Sequence, residues 1–360
     1  MGDVESVVRA PQPPRALTPP ARAPLLHGAD AARALDVAER IYASAQPRLA
    51  GAVGPPESIG RYGGAALVAE ALARAGRCSD DSVRLALRAA LVFAPDRLGL
   101  FDGAGGLAMA LDAVDREHAS LPAVRAKLRD ALTASLRDLT PGDPAQAWSF
   151  DLVGGPAGRA IALAHGVPGV LAALNLAAPG ERELARRYVD LLLRCAHVVD
   201  GALRWGAVWR RRKRPPARRA WCYQTAGVAA VLADRARIDG DAALHALAAN
   251  ALAAVLDDPE SEETWWDAAL CHGRGGVASI VWRFADEARL VRHAERLARD
   301  VLEEFDERIP LGYRTGSARE TRSHERVQFL DAALGIAQFL VDAATAQARR
   351  WLPLFGLVPD

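Results

Sequence analysis

The stretch Gly273-Arg-Gly-Gly276, followed directly by Val277-Ala-Ser-Ile-Val281, is one copy of a pattern that recurs along the chain. The same Gly-x-x-Gly spacing occurs at Gly60-Arg-Tyr-Gly63, Gly103-Ala-Gly-Gly106, Gly155-Pro-Ala-Gly158 and Gly166-Val-Pro-Gly169. Two degenerate copies, Gln224-Thr-Ala-Gly227 and Ala332-Ala-Leu-Gly335, keep the closing glycine. A glycine turn that repeatedly opens an apolar run indicates a fold built from repeated units.

The spacing of the closing glycines predicts the size of each unit. Most gaps are roughly 45 to 60 residues, which accommodates two helices and their turns. Apolar residues at three- and four-residue spacing predict the more amphipathic helices, and clear strand signals are nearly absent. These helices are expected at Ala31 to Ala45, Ser82 to Val92, Val124 to Leu136, Glu181 to Val198, Ala242 to Leu256 and Leu290 to Phe305. The prediction is an all-α ring or solenoid of helical hairpins, and a ring would gather the turns at one mouth.

One gap breaks this spacing, because Gly158 and Gly169 are separated by too few residues to hold a hairpin. Either a pair of helices is missing there or one of the two matches is accidental. The number of hairpins is therefore expected to be six or seven.

The composition of the 360 residues excludes several classes of protein. With 51% apolar residues, 25% charged residues and a net charge of +1, the chain is an ordinary globular protein rather than a nucleic-acid binder. Apolar runs long enough to span a bilayer are missing, although peripheral membrane association stays open. Four cysteines are too few for a disulfide scaffold, so a cytoplasmic location is expected.

Two regions are predicted from proline usage and helix periodicity. Residues 1–29 contain a proline-rich stretch that cannot form a helix and is expected to be a disordered tail. Residues 30–360 are expected to form a single ring domain.

Cysteine and histidine residues occupy matching positions of the repeat. Cys222 precedes the Gln224 turn, Cys271-His272 precedes the Gly273 turn, and His165 precedes the Gly166 turn. If the turns share a mouth, these side chains converge, and two thiolates with an imidazole form a zinc site with an open fourth position. The alternative is that Cys222 and Cys271 are small packing residues, the role expected for Cys78 and Cys195.

The motifs Ala164-His165-Gly166, Trp221-Cys222-Tyr223 and Cys271-His272-Gly273, in this order on this repeat, resemble the lanthionine synthetase C-like family over roughly residues 55 to 345. The resemblance implies an α/α toroid with one Zn²⁺ ion held by Cys222, Cys271 and His272. It also implies catalytic or active-site roles for His165, Arg218, Tyr223 and Asp151, with Trp221 beside the first zinc cysteine.

The sequence departs from the family pattern at three places. Gln224 and Ala332 replace glycines that the family uses. Asp151 lies only 14 residues before His165, whereas the family places these two residues in separate repeats, so the Asp151 assignment is open between a true match and an accident.

The family resemblance implies a zinc-dependent lanthipeptide cyclase that adds peptide cysteine thiolates to dehydroalanine or dehydrobutyrine. The implied partners are a dehydrated precursor peptide and a separate dehydratase. Two alternatives are addition of glutathione or another small thiol to dehydroamino acids, and a non-catalytic zinc-bearing scaffold that binds a peptide or the dehydratase.

Overall fold

The structure is a computed structural model, and it describes residues 23–50, 64–79, 163, 166–207, 220–259, 267–315, 327–349 and 351–358. The predicted helices Ser82 to Val92 and Val124 to Leu136 lie outside the described residues. So do three of the Gly-x-x-Gly turns, those that close at Gly63, Gly106 and Gly158.

The described residues are mostly helical, as predicted. In chain order the helices are α1 (Gly28–Ala50), α2 (Gly64–Arg74), α3 (Val167–Ala177), α4 (Arg182–Arg194), α5 (Gln224–Asp239), α6 (Ala242–Leu256), α7 (Arg274–Val281), α8 (Ala288–Glu303) and α9 (Ala333–Ala344). Short 3₁₀ helices follow at Trp282–Phe284 and Leu352–Phe355. Three expected helices are confirmed. The one at Ala242 to Leu256 matches α6 at both ends, the one at Leu290 to Phe305 is α8 shifted by two residues, and the one at Ala31 to Ala45 is α1, which extends further in both directions.

Two kinds of helix alternate along the chain. The helix α8 is amphipathic, with a buried stripe at Leu290, Ala294, Leu297, Ala298, Val301 and Leu302 and a charged opposite face. In α5 and α7, by contrast, buried residues run around the whole helix. A helix that is buried on all sides belongs to the core, and an amphipathic one covers it. Accordingly α3 packs on α4, α5 on α6, and α7 on α8.

The starts of the inner helices lie side by side. Leu163, before α3, adjoins Gly227 at the start of α5. Leu270, before α7, adjoins Gly335 at the start of α9, and Phe329, before α9, adjoins Gly64 at the start of α2. Because α9 also packs on α1 and α2, the last described inner helix closes back onto the first.

The closing glycines explain how these turns become so tight. A Cβ atom placed on Gly169, Gly227, Gly276 or Gly335 would collide with a main-chain carbonyl oxygen six residues earlier, that of Leu163, Trp221, Leu270 or Phe329 respectively. The same close approach therefore occurs four times in the described residues, and only glycine permits it.

The predicted helix from Glu181 to Val198 is wrong at its end. Helix α4 ends at Arg194, and a two-stranded antiparallel hairpin follows, β1 (His197–Val199) paired with β2 (Ala202–Arg204). The intervening Asp200 and Gly201 have φ values of 51° and 79°. Asp-Gly between two short β-type runs is a strong hairpin signal, and the helical periodicity upstream concealed it.

Part of the predicted tail is packed against the core. Leu25 and Leu26 are buried, and both backbone N–H groups donate to the carbonyl oxygen of Ala343. Residues 1–22 lie outside the described residues, so for them disorder stays a prediction, as does the single-domain organisation of 30–360. Among the helices that the structure describes, none has the length and apolarity needed to cross a bilayer.

Candidate functional site

Three predicted metal ligands meet where α5 and α7 begin. Cys222 and the pair Cys271 and His272 each offer one ligand atom, and these atoms all lie within 4.8 Å of one another. Cys222 is buried, whereas Cys271 and His272 are partly buried. Residues that occupy the same position of the repeat, almost 50 positions apart in sequence, therefore lie together in the structure.

The turn that carries Cys222 is anchored through Trp221. The indole Nε1 donates to the carbonyl oxygen of Phe355 at 2.9 Å, and the Trp221 and Phe355 ring centroids are 4.1 Å apart. The carbonyl of Trp221 lies against Gly227, one turn into α5. Both contacts fix the backbone directly before Cys222.

The turn that carries Cys271 is held by backbone contacts. The N–H of Cys271 donates to the carbonyl of Leu330 at 2.7 Å, which joins this turn to the one before α9. Asp267 organises the beginning of the same turn, because its Oδ1 accepts from the N–H of Ala269 at 2.9 Å and its carbonyl accepts from the N–H of Arg274 at 3.0 Å.

The surroundings of Cys271 and His272 favour the protonated form of each side chain. A hydrogen bond with Cys222, together with burial, raises the pKa of the Cys271 thiol well above its ordinary value. Burial lowers the pKa of His272, but the Cys271 side chain, 3.7 Å from Nε2, and the carboxylates of Asp267 and Asp331 outweigh it and raise the pKa overall. Metal binding at such a site must displace protons.

The donor set fits zinc. Two thiolates and one imidazole are soft and borderline ligands that Zn²⁺ prefers, and three protein ligands leave one tetrahedral position for a substrate. The charges of the Asp267 and Asp331 carboxylates act on the His272 imidazole, and outer carboxylates commonly support a metal-binding histidine.

Tyr223 is the other predicted site residue that the structure places here. Its ring centroid lies 5.8 Å from that of His272, with an angle of 49° between the planes. The predicted residues His165, Arg218 and Asp151 lie outside the described residues. Leu163 and Gly166 are described, and Leu163 adjoins the start of α5, the helix that follows Cys222.

Cys195 is buried at the end of α4 and packs in the core, as expected. Cys78 is half-buried against the core, and its Sγ lies 3.7 Å from the carbonyl oxygen of Ser79. Sequence reasoning missed the aromatic cluster behind the metal ligands, formed by Trp221, Phe329, Trp351 and Phe355. The apolar run Trp351-Leu-Pro-Leu-Phe355 was the available signal.

Comparison with known proteins places the chain in a class. A family model described as "Lanthionine synthetase C-like protein" matches residues 35–355. The chain therefore belongs to the lanthionine synthetase C-like family.

A solved structure supports the same fold. The chain is similar to a structure titled "Nisin cyclase", with a TM-score of 0.60 and 14% sequence identity over 89% of this chain and 97% of that one. The predicted α/α toroid is thereby confirmed. A search of curated protein sequences finds no match.

Proposed function

We propose that this protein is a zinc-dependent lanthipeptide cyclase that closes thioether rings in a dehydrated precursor peptide. The observation that carries the proposal is the convergence of Cys222, Cys271 and His272, whose ligand atoms lie within 4.8 Å of one another at the start of two inner helices. Membership of the lanthionine synthetase C-like family supports it.

The reaction adds a peptide cysteine S–H across the Cα=Cβ bond of dehydroalanine or dehydrobutyrine. The chemistry that bound zinc supplies is a lowered pKa for the peptide thiol, so that a thiolate is available at neutral pH. The sulfur then bonds to Cβ, the Cα=Cβ π-bond opens to an enolate, and a proton adds at Cα. The product has the same mass as the substrate.

Residues of this chain would stabilise the negative charge of the enolate and protonate it. We assign Arg218 to stabilise the enolate oxygen and His165 to deliver the proton to Cα. His165 can also receive the thiol proton, since one imidazole serves both steps. Tyr223 lies against His272, where it can orient the imidazole, and Asp151 is assigned to the same site.

The proposal includes partners and a location. The substrate is a precursor peptide that already carries dehydroamino acids, so a separate dehydratase must supply it. We place the protein in the cytoplasm, where reducing conditions keep Cys222 and Cys271 as free thiols.

Metal content and product mass test the proposal together. The purified protein should contain about one equivalent of zinc. Cys271→Ala should bind far less than one equivalent, because one of three ligands is lost. The matched control is Cys195→Ala, which removes an equally small buried thiol away from the site and should keep its zinc.

Incubation with a dehydrated peptide should consume its free thiols without a change in mass. Full zinc retention by Cys271→Ala would contradict the metal site. A mass increase with added glutathione would instead establish small-thiol addition. Tight peptide binding without either reaction would establish a scaffold.

A further inference from the structure

The segment 351–358, with Arg349 before it, contacts four inner helices, α3, α5, α7 and α9. Arg349 donates to the carbonyl of Ser279 at 2.6 Å and its guanidinium lies over the Trp282 ring, 4.7 Å from the centroid, so the segment starts towards the far end of α7. Trp351 donates to Asp342, near the far end of α9, at 2.6 Å.

The chain then turns back on itself, because the N–H of Leu357 donates to the carbonyl oxygen of Leu352 at 3.1 Å. Phe355 contacts Trp221, which precedes α5, and Gly356, at a φ of 66°, reverses the direction. Val358 lies at the far end again, where its N–H donates to Asp234 and its carbonyl accepts from Arg283, both at 2.9 Å. Asp234 is ten residues into α5, about 15 Å below its start. Segment 351–358 is therefore a re-entrant loop with Phe355 at its tip.

Phe355 touches the supports of both ligand turns. Its ring centroid lies 4.1 Å from that of Trp221, the residue before Cys222. It lies 6.4 Å from that of Phe329, edge to face. Phe329 immediately precedes Leu330, whose carbonyl accepts the hydrogen bond from the N–H of Cys271. One buried ring is thus in contact with the chain that positions each cysteine.

We propose that Phe355 is a positioning residue of the metal site, which sets the separation between Cys222 and Cys271 by packing between Trp221 and Phe329. The proposal rests on the zinc site of the proposed function and adds a residue to it. Interior side chains are close-packed, so the width of the Phe355 ring is transmitted to its neighbours. A site that loosens by a fraction of an ångström loses ligand geometry even when every ligand is present.

Phe355 also contacts Trp221 through its main chain. The indole Nε1 of Trp221 donates to the main-chain carbonyl of Phe355, so this hydrogen bond survives a change of the Phe355 side chain. Substitution of Phe355 therefore removes the packing alone and isolates the effect of the ring.

Zinc affinity, measured by competition with a chromophoric chelator, tests the proposal on the full chain. Phe355→Ala should weaken Zn²⁺ binding about tenfold or more, in the range seen when outer supports of metal ligands are removed. The matched control is Phe284→Ala, since Phe284 is equally buried but packs against His245 and Arg237 at the other end of α7. Its zinc affinity should stay within about twofold of wild type. If either alanine variant fails to fold, the Phe355→Leu and Phe284→Leu pair replaces it.

The spectrum of the Co²⁺-loaded protein gives a readout that a general loss of stability would not move. Phe355→Ala should shift and weaken the thiolate-to-cobalt absorption, whereas Phe284→Ala should leave it unchanged. Wild-type zinc affinity and an unchanged cobalt spectrum in Phe355→Ala would overturn the proposal, and so would equal losses in both variants.

The two proposals can fail separately. If the wild-type protein binds zinc but forms no thioether, the cyclase function is overturned. The positioning role of Phe355 is then still decided by the zinc affinities and cobalt spectra of the variants. If the wild-type protein binds neither zinc nor cobalt, a short bifunctional alkylating agent decides the positioning role. Slower bridging of Cys222 to Cys271 in Phe355→Ala than in wild type and Phe284→Ala supports it, and equal rates overturn it.

Discussion

The two ends of the inner helices are held by different physical means. The end where these helices begin carries Cys222, Cys271 and His272 and is called the metal end after their proposed role. There α5 and α7 meet their neighbours through glycine-to-carbonyl contacts, aromatic rings and these three proposed ligands. At the opposite end, the same two helices are joined by buried ions. Asp234 of α5 pairs with Arg283, which follows α7, and both side chains are almost fully buried. We infer that the metal end positions the proposed ligands, whereas the opposite, ionic end stabilises the fold.

The ionic end also anchors the re-entrant loop. Asp234 and Arg283 bind the N–H and the carbonyl of Val358 respectively, so the pair holds both main-chain polar groups of one residue. Arg237 adds a contact to Asp234 at 3.5 Å and one to His245 at 3.2 Å. Burial, with the nearby Arg283, lowers the pKa of Arg237 against the opposing effects of Asp234 and Asp286.

The largest expected effect comes from breaking this ionic end. Asp234→Ala removes the buried carboxylate that both Arg283 and Arg237 contact, so the free energy of unfolding should fall by about 3–5 kcal/mol. Urea denaturation of the metal-free protein measures the loss. Glu183→Ala removes an acid from an exposed pair with Arg187 and should leave the midpoint almost unchanged. Equal midpoints for Asp234→Ala and wild type would show that the ionic end does not anchor the fold.

A second buried acid makes stability depend on pH. Burial raises the pKa of Asp342 to about 6, against the opposing effects of Trp351, Arg349, Gln338 and Arg74. Since the folded-state pKa lies above the unfolded one, this group's contribution is present below about pH 4 and is lost as pH rises through about 6. Asp342→Asn should therefore gain stability relative to wild type across this window, by about 3 kcal/mol at most.

The amide can still make two hydrogen bonds. Its oxygen accepts from Trp351, and once the Gln338 carboxamide, which now donates to Asp342, turns over, the N–H₂ donates to Gln338 Oε1, an atom without a hydrogen bond among the described residues. Asp306→Asn is a control of opposite sign. A hydrogen bond from Arg308 lowers the pKa of Asp306 to about 2, so wild type should gain relative to this variant as pH rises from about 2 to 4. Urea midpoints at a series of pH values measure both slopes, and a flat difference for Asp342→Asn would contradict the buried charge.

The metal end is predicted to be sensitive to a single methyl group. Gly276→Ala places a Cβ against the carbonyl of Leu270, directly before Cys271, so overpacking should cost about 1–3 kcal/mol and weaken zinc binding. Gly180→Ala adds the same atom where nothing lies within 4 Å and should change neither quantity. Thermal melting and chelator competition on both variants test this, and equal behaviour would mean that the turn relaxes without moving the ligand.

The same comparison explains what the sequence could predict. Each closing glycine and the residues just before its turn are close together in the chain, so a local pattern predicts that Cys222, Cys271 and His272 meet where the inner helices begin. The ionic end was not predicted, because Asp234 and Arg283 are 49 positions apart and nothing local marks either as buried. The re-entrant loop was missed for the same reason, since helical periodicity carries no information about long-range packing.

The smallest expected effect on stability concerns Gln224. Among the described turns, this is the one in which a long side chain occupies the first position of the Gly-x-x-Gly pattern. Gln224 has a φ of 67°, a left-handed conformation that costs a non-glycine residue energy. Among the described residues, its buried Oε1 has no hydrogen-bond partner. Gln224→Gly should be more stable than Gln224→Ala by about 1 kcal/mol, because both remove the carboxamide and only glycine relieves the backbone. At Gln338, inside α9, the order should reverse, since alanine favours a helix over glycine by about the same amount. Denaturation of the four variants gives the two differences. The same sign at both positions would show that Gln224 is not strained, and the metal end would then tolerate a side chain at this position without cost.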